Sequence, residues 1–165
     1  WLDEILSEFK IPKMVRVQQE FSRNSIVKSQ IKAHVYSQLS QPKFKKTITA
    51  GKNICITAGS RGICNIVEIL RAIVSFCKEQ GANPFLVAAM GSHAGATGDG
   101  QREMLEHLGI TEKTVGCPIL SSMETVLLGH TDSGFPVYID KNAYESDGII
   151  VCGRVKLHTA FRGKF

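Results

Sequence analysis

Long apolar runs are missing from this 165-residue sequence, and their absence limits the kinds of protein it can be. No stretch reaches the roughly 18 consecutive apolar residues that a membrane-spanning helix requires. The first ten residues, WLDEILSEFK, carry acidic side chains where a signal peptide would have a basic and then an apolar stretch. We therefore predict a cytoplasmic protein with no membrane partner.

Paired cysteines and aromatic-rich basic segments are also missing. The five cysteines form no CxxC pair, and several lie in apolar runs, where a free thiol behaves as a small hydrophobic side chain. We expect reduced, structural cysteines. Aromatic residues make up 7% of the chain, and the net charge of +5 is spread over several segments. Without a basic face or a known nucleic-acid module, we predict a small anionic ligand rather than nucleic acid.

Apolar material sufficient for a core is present. The chain is 43% hydrophobic and 21% charged, which is typical of one soluble domain, so we predict that residues 1–165 form a single domain. Residues 53–58 read as a strand, followed by a helical pattern from residue 66, with Asn65 as its N-cap and Gly81 as its stop. A second strand over residues 85–90 precedes a glycine-rich loop and a helix that ends at Gly109.

Further strand patterns flank these two units. Residues 125–128 and 135–139 are predicted strands, and residues 148–152 are apolar throughout, which is typical of a central strand. Upstream, Val15 and Val17 indicate an early strand and residues 25–39 a helix. Strands that alternate with helices predict an α/β fold, here a Rossmann-like three-layer domain with a largely parallel sheet.

The candidate catalytic and binding residues lie in three loops that follow predicted strands. In open parallel sheets, ligands bind beyond the carboxyl ends of the strands. Histidine transfers protons near neutral pH, which fits His93 and His158. The guanidinium of Arg61 can hold a carboxylate through two hydrogen bonds. Each residue taken singly also fits a structural or solvated role. The loops span residues 59–62, 91–100 and 153–158.

The loop over residues 91–100 contains four glycines, which let its backbone approach a ligand closely. It lacks the Gly-Lys-Ser/Thr ending of a phosphate-binding P-loop and the GxGxxG dinucleotide motif, which argues against an ordinary ATP or NAD site. An ordinary surface loop remains the alternative. We assign the other three histidines to structure or solvent: His34, His107 and His130.

Four segments resemble a known family. In chain order they read ITAGSRG, AAMGSHAGATGDGQREMLEHLGI, LLGHTDSGFPVYIDK and SDGIIVCGRVKLHTAFRGKF. They are similar to the N-terminal domain of the nickel-dependent lactate racemases and their uncharacterised relatives, from about residue 24 to the end. The most specific features are the G-S-H-x-G loop that leads into Gln101-Arg102-Glu103 and the terminal V-K-x-H-T-x-F-R-G.

The resemblance implies an isomerase that acts on a lactate-like 2-hydroxy acid. In that family a nickel pincer nucleotide, built from nicotinic acid, lies between two α/β domains and accepts a hydride from the substrate α-carbon. Two histidines take and return the hydroxyl proton, one for each enantiomer, and by motif position these are His93 and His158. Arg61 corresponds to an arginine near the substrate. We add Ser60 as a substrate contact and expect the cofactor to contact Gly91, Ser92, Gly95 and Lys156.

This sequence departs from the family pattern at one position and ends before two others. Better-known members have an aspartate three residues before the arginine, where this chain has Ala58. The lysine that tethers the nucleotide and the histidine that ligates nickel lie beyond the last motif, so we assign no metal ligand here, and Lys164 is not the tether. We expect a fragment that lacks its C-terminal domain and is inactive alone.

Two other classes of function fit parts of the sequence. A non-catalytic nucleotide- or anion-binding domain would use the glycine loop and nearby basic residues to hold phosphate, with the histidines as ligand contacts. A structural or interaction domain would leave the histidines dispersed.

Overall fold

A computed structural model describes residues 7, 13–20 and 25–155 of the chain. Four parallel strands form one sheet in the order β3-β2-β1-β6, and β4 and β5 form a separate antiparallel pair. This arrangement confirms the predicted α/β fold with a largely parallel sheet. The strands are β1 (Asn53–Ala58), β2 (Asn83–Ala88), β3 (Ile119–Leu120), β4 (Thr125–His130), β5 (Pro136–Asp140) and β6 (Gly148–Ile150). The helices are α1 (Ile31–Leu39), α2 (Pro42–Lys45), α3 (Ile66–Glu79), α4 (Gly98–His107), α5 (Glu112–Val115) and α6 (Lys141–Tyr144).

Two strand-loop-helix units form the body of the domain, as the sequence predicts. β1 has the predicted bounds, whereas β2 begins earlier and includes Pro84. Gly81 and Gly109 lie just beyond α3 and α4 with φ of +77° and +76°, the left-handed conformation that commonly ends a helix. Asn65 does precede α3, but it is itself left-handed and its side chain makes no capping hydrogen bond, so the predicted N-cap interaction is wrong.

The sheet lies between two layers because its strands alternate buried side chains between both faces. On one face, β1 and β2 pack mainly against α3, and α1 packs on α3 in turn, with Tyr36 edge-on to Phe76. On the other face, Cys55 and Val87 pack against Ala143 of α6. These contacts confirm the three-layer arrangement. The core residues of β1 and β2 on the first face are Ile54, Ile56, Ala58 and Leu86.

In the described part of the chain, β6 is the edge strand of the sheet, whereas the sequence predicts a central strand. Its one strand partner there is β1, and Ile149 is 43% exposed while Ile150 packs against the core. Its apolar sequence was read as that of a central strand because a run without polar residues does not show whether a second neighbour is present.

The early strand predicted at Val15 and Val17 is not observed. Residues 13–20 have no regular secondary structure, and both valines are 78% exposed. The helix predicted over residues 25–39 begins as the 3₁₀ turn Lys28–Gln30 and continues as α1. Among the described residues, none of the helices is both long and apolar enough to cross a membrane.

The histidines and cysteines outside the predicted site largely match expectation. His34 lies in α1 and His107 ends α4, both exposed, whereas His130 ends β4 rather than standing in the following turn. All five cysteines are free. Burial raises the pKa of the Cys55 and Cys117 thiols to about 12, which keeps both protonated and unreactive at neutral pH.

Candidate functional site

A cleft opens at the carboxyl ends of the parallel strands. Because β1, β2 and β6 run in the same direction, the loops that follow them meet at one edge of the sheet. The cleft has a volume of about 360 Å³ and is lined by side chains from all three loops. The lining residues are Thr57, Gly59, Ser60, Arg61, Ile63, Ala89, Met90, His93, Val151, Cys152, Gly153 and Arg154.

His93 enters the cleft from the loop after β2 and contacts the loop after β1. Its Nδ1 atom lies 2.5 Å from Oγ of Ser60, a hydrogen-bond distance between two residues that are 33 positions apart in the sequence. The imidazole is exposed, and Nε2 makes no hydrogen bond within the described part of the chain. The ring is therefore held through one nitrogen and free at the other, the arrangement that a proton-transfer group needs.

The cleft carries positive charge. Arg61 and Arg154 both line it, both are exposed, and neither has an ion pair or hydrogen bond to a residue in the described ranges. No acidic side chain is among the described lining residues. Two unpaired guanidinium groups in one concave site favour an anionic ligand, and each can bind a carboxylate or phosphate through two parallel hydrogen bonds.

The backbone of the His93 loop is held in an unusual conformation. Gly91 and Gly95 have positive φ values, and so do Ala94 (+52°) and Ala96 (+53°), for which this conformation costs about 1 kcal/mol each. A Cβ atom on Gly100 would collide with the carbonyl oxygen of Ala94, so helix α4 approaches the loop as closely as a glycine permits. Such strain persists only where the surroundings over-determine the loop.

Gln101 supplies part of that constraint. It is 2% exposed, the one buried polar residue of the described chain, and its Nε2 donates to the carbonyl oxygens of Gly91 at 2.7 Å and His93 at 3.4 Å. A buried amide that satisfies two loop carbonyls fixes the backbone on both sides of Ser92. From the sequence, Gln101 was named only as part of the motif that follows the glycine loop, without a role of its own. A polar residue on the buried side of an amphipathic helix was a further signal.

Thr57 holds the segment after β6, which forms one wall of the cleft. Its Oγ1 accepts a hydrogen bond from the backbone amide of Cys152 at 2.9 Å and donates to the carbonyl oxygen of the same residue at 3.2 Å. These bonds extend the contact between β1 and the segment that follows β6, beyond the last backbone pair at Ile150. Gly153 and Arg154, which follow Cys152, line the cleft together with Ser60 and Arg61. Thr57 was not among the predicted site residues.

One comparison with known proteins identifies the family. A family model described as the lactate racemase N-terminal domain matches residues 4–163. The chain belongs to this family. Among curated proteins and solved structures, nothing matches the chain. Because the family is defined as an N-terminal domain, a lactate racemase also has a further domain.

Several predicted site residues of this lactate racemase N-terminal domain meet in the cleft. Ser60, Arg61 and His93 all line it. The predicted cofactor contacts Gly91, Ser92 and Gly95 lie exposed on the same loop as His93 but are not part of the cleft lining. Lys156 and His158 lie outside the described residues.

The lining of the cleft favours an anionic group. Its unpaired guanidinium groups suit carboxylate or phosphate oxygens, and the left-handed glycine loop, which carries His93, lies next to it. In contrast, no cluster of three or more His, Cys, Asp or Glu residues that could hold a metal occurs among the residues described.

Ala58 occupies the place where better-known lactate racemases have an aspartate. It is the last residue of β1, is fully buried, and belongs to the core cluster on the α3 face of the sheet. Its neighbours Thr57 and Gly59 line the cleft, whereas Ala58 does not. The described wall of this site consequently lacks a carboxylate beside Arg61.

Proposed function

We propose that this chain is the N-terminal domain of an enzyme that racemises or epimerises a 2-hydroxy acid, with His93 and His158 as its acid/base pair. One observation carries the proposal: in a lactate racemase domain, His93 and Arg61 line a single cationic cleft at the carboxyl edge of the sheet. His158 follows Arg154, a cleft residue, by four positions in the sequence.

The described residues supply binding and proton transfer. Arg61 binds the substrate carboxylate through paired hydrogen bonds, with Ser60 beside it, and Arg154, from the loop after β6, adds positive charge to the same cleft. Nε2 of His93 takes the proton of the substrate hydroxyl as the α-hydrogen leaves and returns it when the hydrogen is restored. His158 does the same for the other enantiomer.

A nickel pincer nucleotide would bind at the same edge, with Gly91, Ser92 and Gly95 against its anionic groups and Lys156 as a further cationic contact. When bound, the nucleotide supplies a reversible acceptor for the α-hydrogen and its electron pair. We further propose that residues 1–165 act as one domain and that a C-terminal domain supplies the tether and the nickel ligands. Five free thiols favour a cytoplasmic location, which fractionation of cells would test.

The test uses full-length protein loaded with the nucleotide. Interconversion of the D and L forms of 2-hydroxy acids is followed by chiral chromatography, with His93→Ala, His158→Ala and the control His107→Ala, an exposed histidine at the end of α4. We expect each of the first two changes to lower kcat by about 100-fold or more and the control to leave it unchanged. Full activity in both His93→Ala and His158→Ala would refute the proposed roles.

The second candidate function is non-catalytic binding of a nucleotide or other anion. The unpaired Arg61 and Arg154 favour it, because they attract anions whether or not chemistry follows. Mass spectrometry and metal analysis of the purified full-length protein separate the two functions. A bound pincer nucleotide with nickel supports catalysis, whereas a conventional nucleotide retained without nickel supports binding alone.

A further inference from the structure

The His93 ring is oriented by a single described contact. Its backbone is fixed separately, since the His93 amide donates to the carbonyl oxygen of Met90 and the His93 carbonyl accepts from Gln101. Among the described residues, the one hydrogen bond to the imidazole ring comes from Ser60, through the 2.5 Å contact between Oγ and Nδ1. Which ring nitrogen of His93 faces the cleft therefore depends on the Ser60 hydroxyl.

Ser60 is itself well placed. It follows Gly59 directly after β1, where the chain leaves the sheet, and is half-buried, whereas His93 is exposed. Ser60 is therefore less exposed to solvent than the ring that it contacts. Ser60 and His93 also come from different loops, so their bond joins the walls that β1 and β2 contribute.

A hydroxyl differs from the carboxylate that often orients a histidine. An imidazole that donates its Nδ1 proton to Oγ keeps Nε2 as its basic nitrogen, and the same bond persists when Nε2 gains a proton. A carboxylate would do the same but would add a negative charge to a cleft whose described lining includes Arg61, Arg154 and no acidic residue. Ser60 also retains its own hydroxyl proton, which it can donate to an anionic ligand.

We propose that Ser60 is a positioning residue whose Oγ accepts a hydrogen bond from the Nδ1–H of His93 and so fixes Nε2 as the proton-transfer atom. This inference rests on the proposed role of His93 in the reaction. It adds to Ser60 a task beyond contact with the substrate, because the hydroxyl acts through the histidine.

The first test needs no activity. Nitrogen-15 NMR of the histidine rings reports which ring nitrogen carries the proton in the neutral form. We expect His93 to be protonated at Nδ1 in the unmodified chain and in Ser60→Thr, and to shift towards the Nε2-protonated form in Ser60→Ala. The control Ser37→Ala, an exposed serine of α1, should leave the His93 signals unchanged. Identical His93 signals in the unmodified chain and Ser60→Ala would overturn the proposal, as would an Nε2-protonated ring in the unmodified chain.

The second test measures kinetics in the loaded full-length enzyme. We expect Ser60→Ala to lower kcat by about 10- to 100-fold, because a small misplacement of a proton-transfer group has an effect of that order, and Ser60→Thr to restore most of the rate. Equal rates in Ser60→Ala and the unmodified enzyme would overturn the proposal. If no 2-hydroxy acid is converted by the unmodified enzyme, the proposed function fails, while the NMR result still decides whether Ser60 orients His93.

Discussion

Different kinds of side-chain interaction join β1 to β6 at the two ends of this strand pair. At the amino end, the Asp147 carboxylate accepts from the Lys52 ammonium at 2.7 Å and from the Asn53 amide at 2.8 Å. At the carboxyl end, the neutral hydroxyl of Thr57 makes both bonds to Cys152. The same two strands are therefore tied by an ion pair away from the cleft and by neutral groups beside it.

This difference leaves the positive charge of the cleft unneutralised. Ser60 and Gln101 are neutral, like Thr57. Ser60 makes a hydrogen bond to the His93 ring, and Gln101 makes hydrogen bonds to the backbone of its loop. A carboxylate at Thr57 or Ser60, which line the cleft, would add negative charge beside Arg61 and Arg154 and reduce their attraction for an anionic substrate. Four predictions test this contrast.

The largest effect is expected when a carboxylate is forced into the carboxyl end. Ala58→Asp places a charge in a fully buried position of the apolar core cluster. We expect a loss of about 3–5 kcal/mol in the free energy of unfolding, measured by urea denaturation. Ala58→Ser, which adds a small neutral group, should cost clearly less. Equal stability of the two variants would mean that the carboxylate reaches the cleft, and the contrast between the two ends would not hold.

Removal of the buried amide should have the next largest effect. Gln101→Leu keeps the size of the side chain but leaves the carbonyl oxygens of Gly91 and His93 without their donor. We expect a loss of about 1–3 kcal/mol in the free energy of unfolding. The control is Glu103→Leu, an exposed position on the same helix, for which a change within about 0.5 kcal/mol is expected. A Gln101→Leu variant as stable as its control would show that the amide does not restrain the loop.

Loss of the Thr57 hydroxyl should have a smaller and more local effect. Thr57→Val is nearly isosteric but deprives the Cys152 amide of its acceptor. We expect a loss of about 1 kcal/mol and faster hydrogen exchange at the Cys152 amide, followed by NMR. Thr57→Ser, which keeps the hydroxyl, should retain the protection. Slow exchange in Thr57→Val would indicate that backbone pairing alone fixes this wall.

The smallest effect is expected at the amino end, and it should depend on pH. The hydrogen bond from Lys52 lowers the pKa of Asp147 below its ordinary value of 3.8. A carboxyl group whose pKa is lowered in the folded protein stabilises the fold fully at a pH above its ordinary pKa. This stabilisation is lost as the pH falls through the lowered pKa. Asp147→Asn should therefore lower Tm slightly at pH 7 and not at all once the pH is well below 3.8. The control Asp132→Asn, in an exposed turn, should show no such convergence, and a pH-independent difference for Asp147→Asn would contradict the assignment.

The parts of the fold that follow from local patterns were predictable from the sequence. β1, α3 and α4 have clear apolar periodicity and glycine stops, and all three occur where the sequence places them. The edge position of β6 and the lack of a strand at Val15 were missed. Both depend on which neighbours a segment finds, and residue patterns along one segment carry little information on that.

The location of the site was predictable from the sequence, but the hydrogen bonds that hold its side chains were not. The rule that loops meet beyond the carboxyl ends of parallel strands brings Ser60, Arg61 and His93 together, as observed. The hydrogen bond between Ser60 and His93 depends on loop conformation, and that conformation includes left-handed Ala94 and Ala96, which sequence preference disfavours. The role of Gln101 likewise emerges only once the loop folds back over α4.

Parallel pairing also has a consequence for the order in which the domain assembles. Thr57 and Cys152 are 95 residues apart, so the wall that carries Arg154 can form only after nearly all of the intervening chain has been synthesised and folded. Closing so long a segment is entropically costlier and slower than forming the local β1–α3–β2 unit, which brings together the loops that carry Ser60 and His93. During synthesis the histidine and its serine are therefore expected to meet first, and the anion-attracting pocket to be completed last.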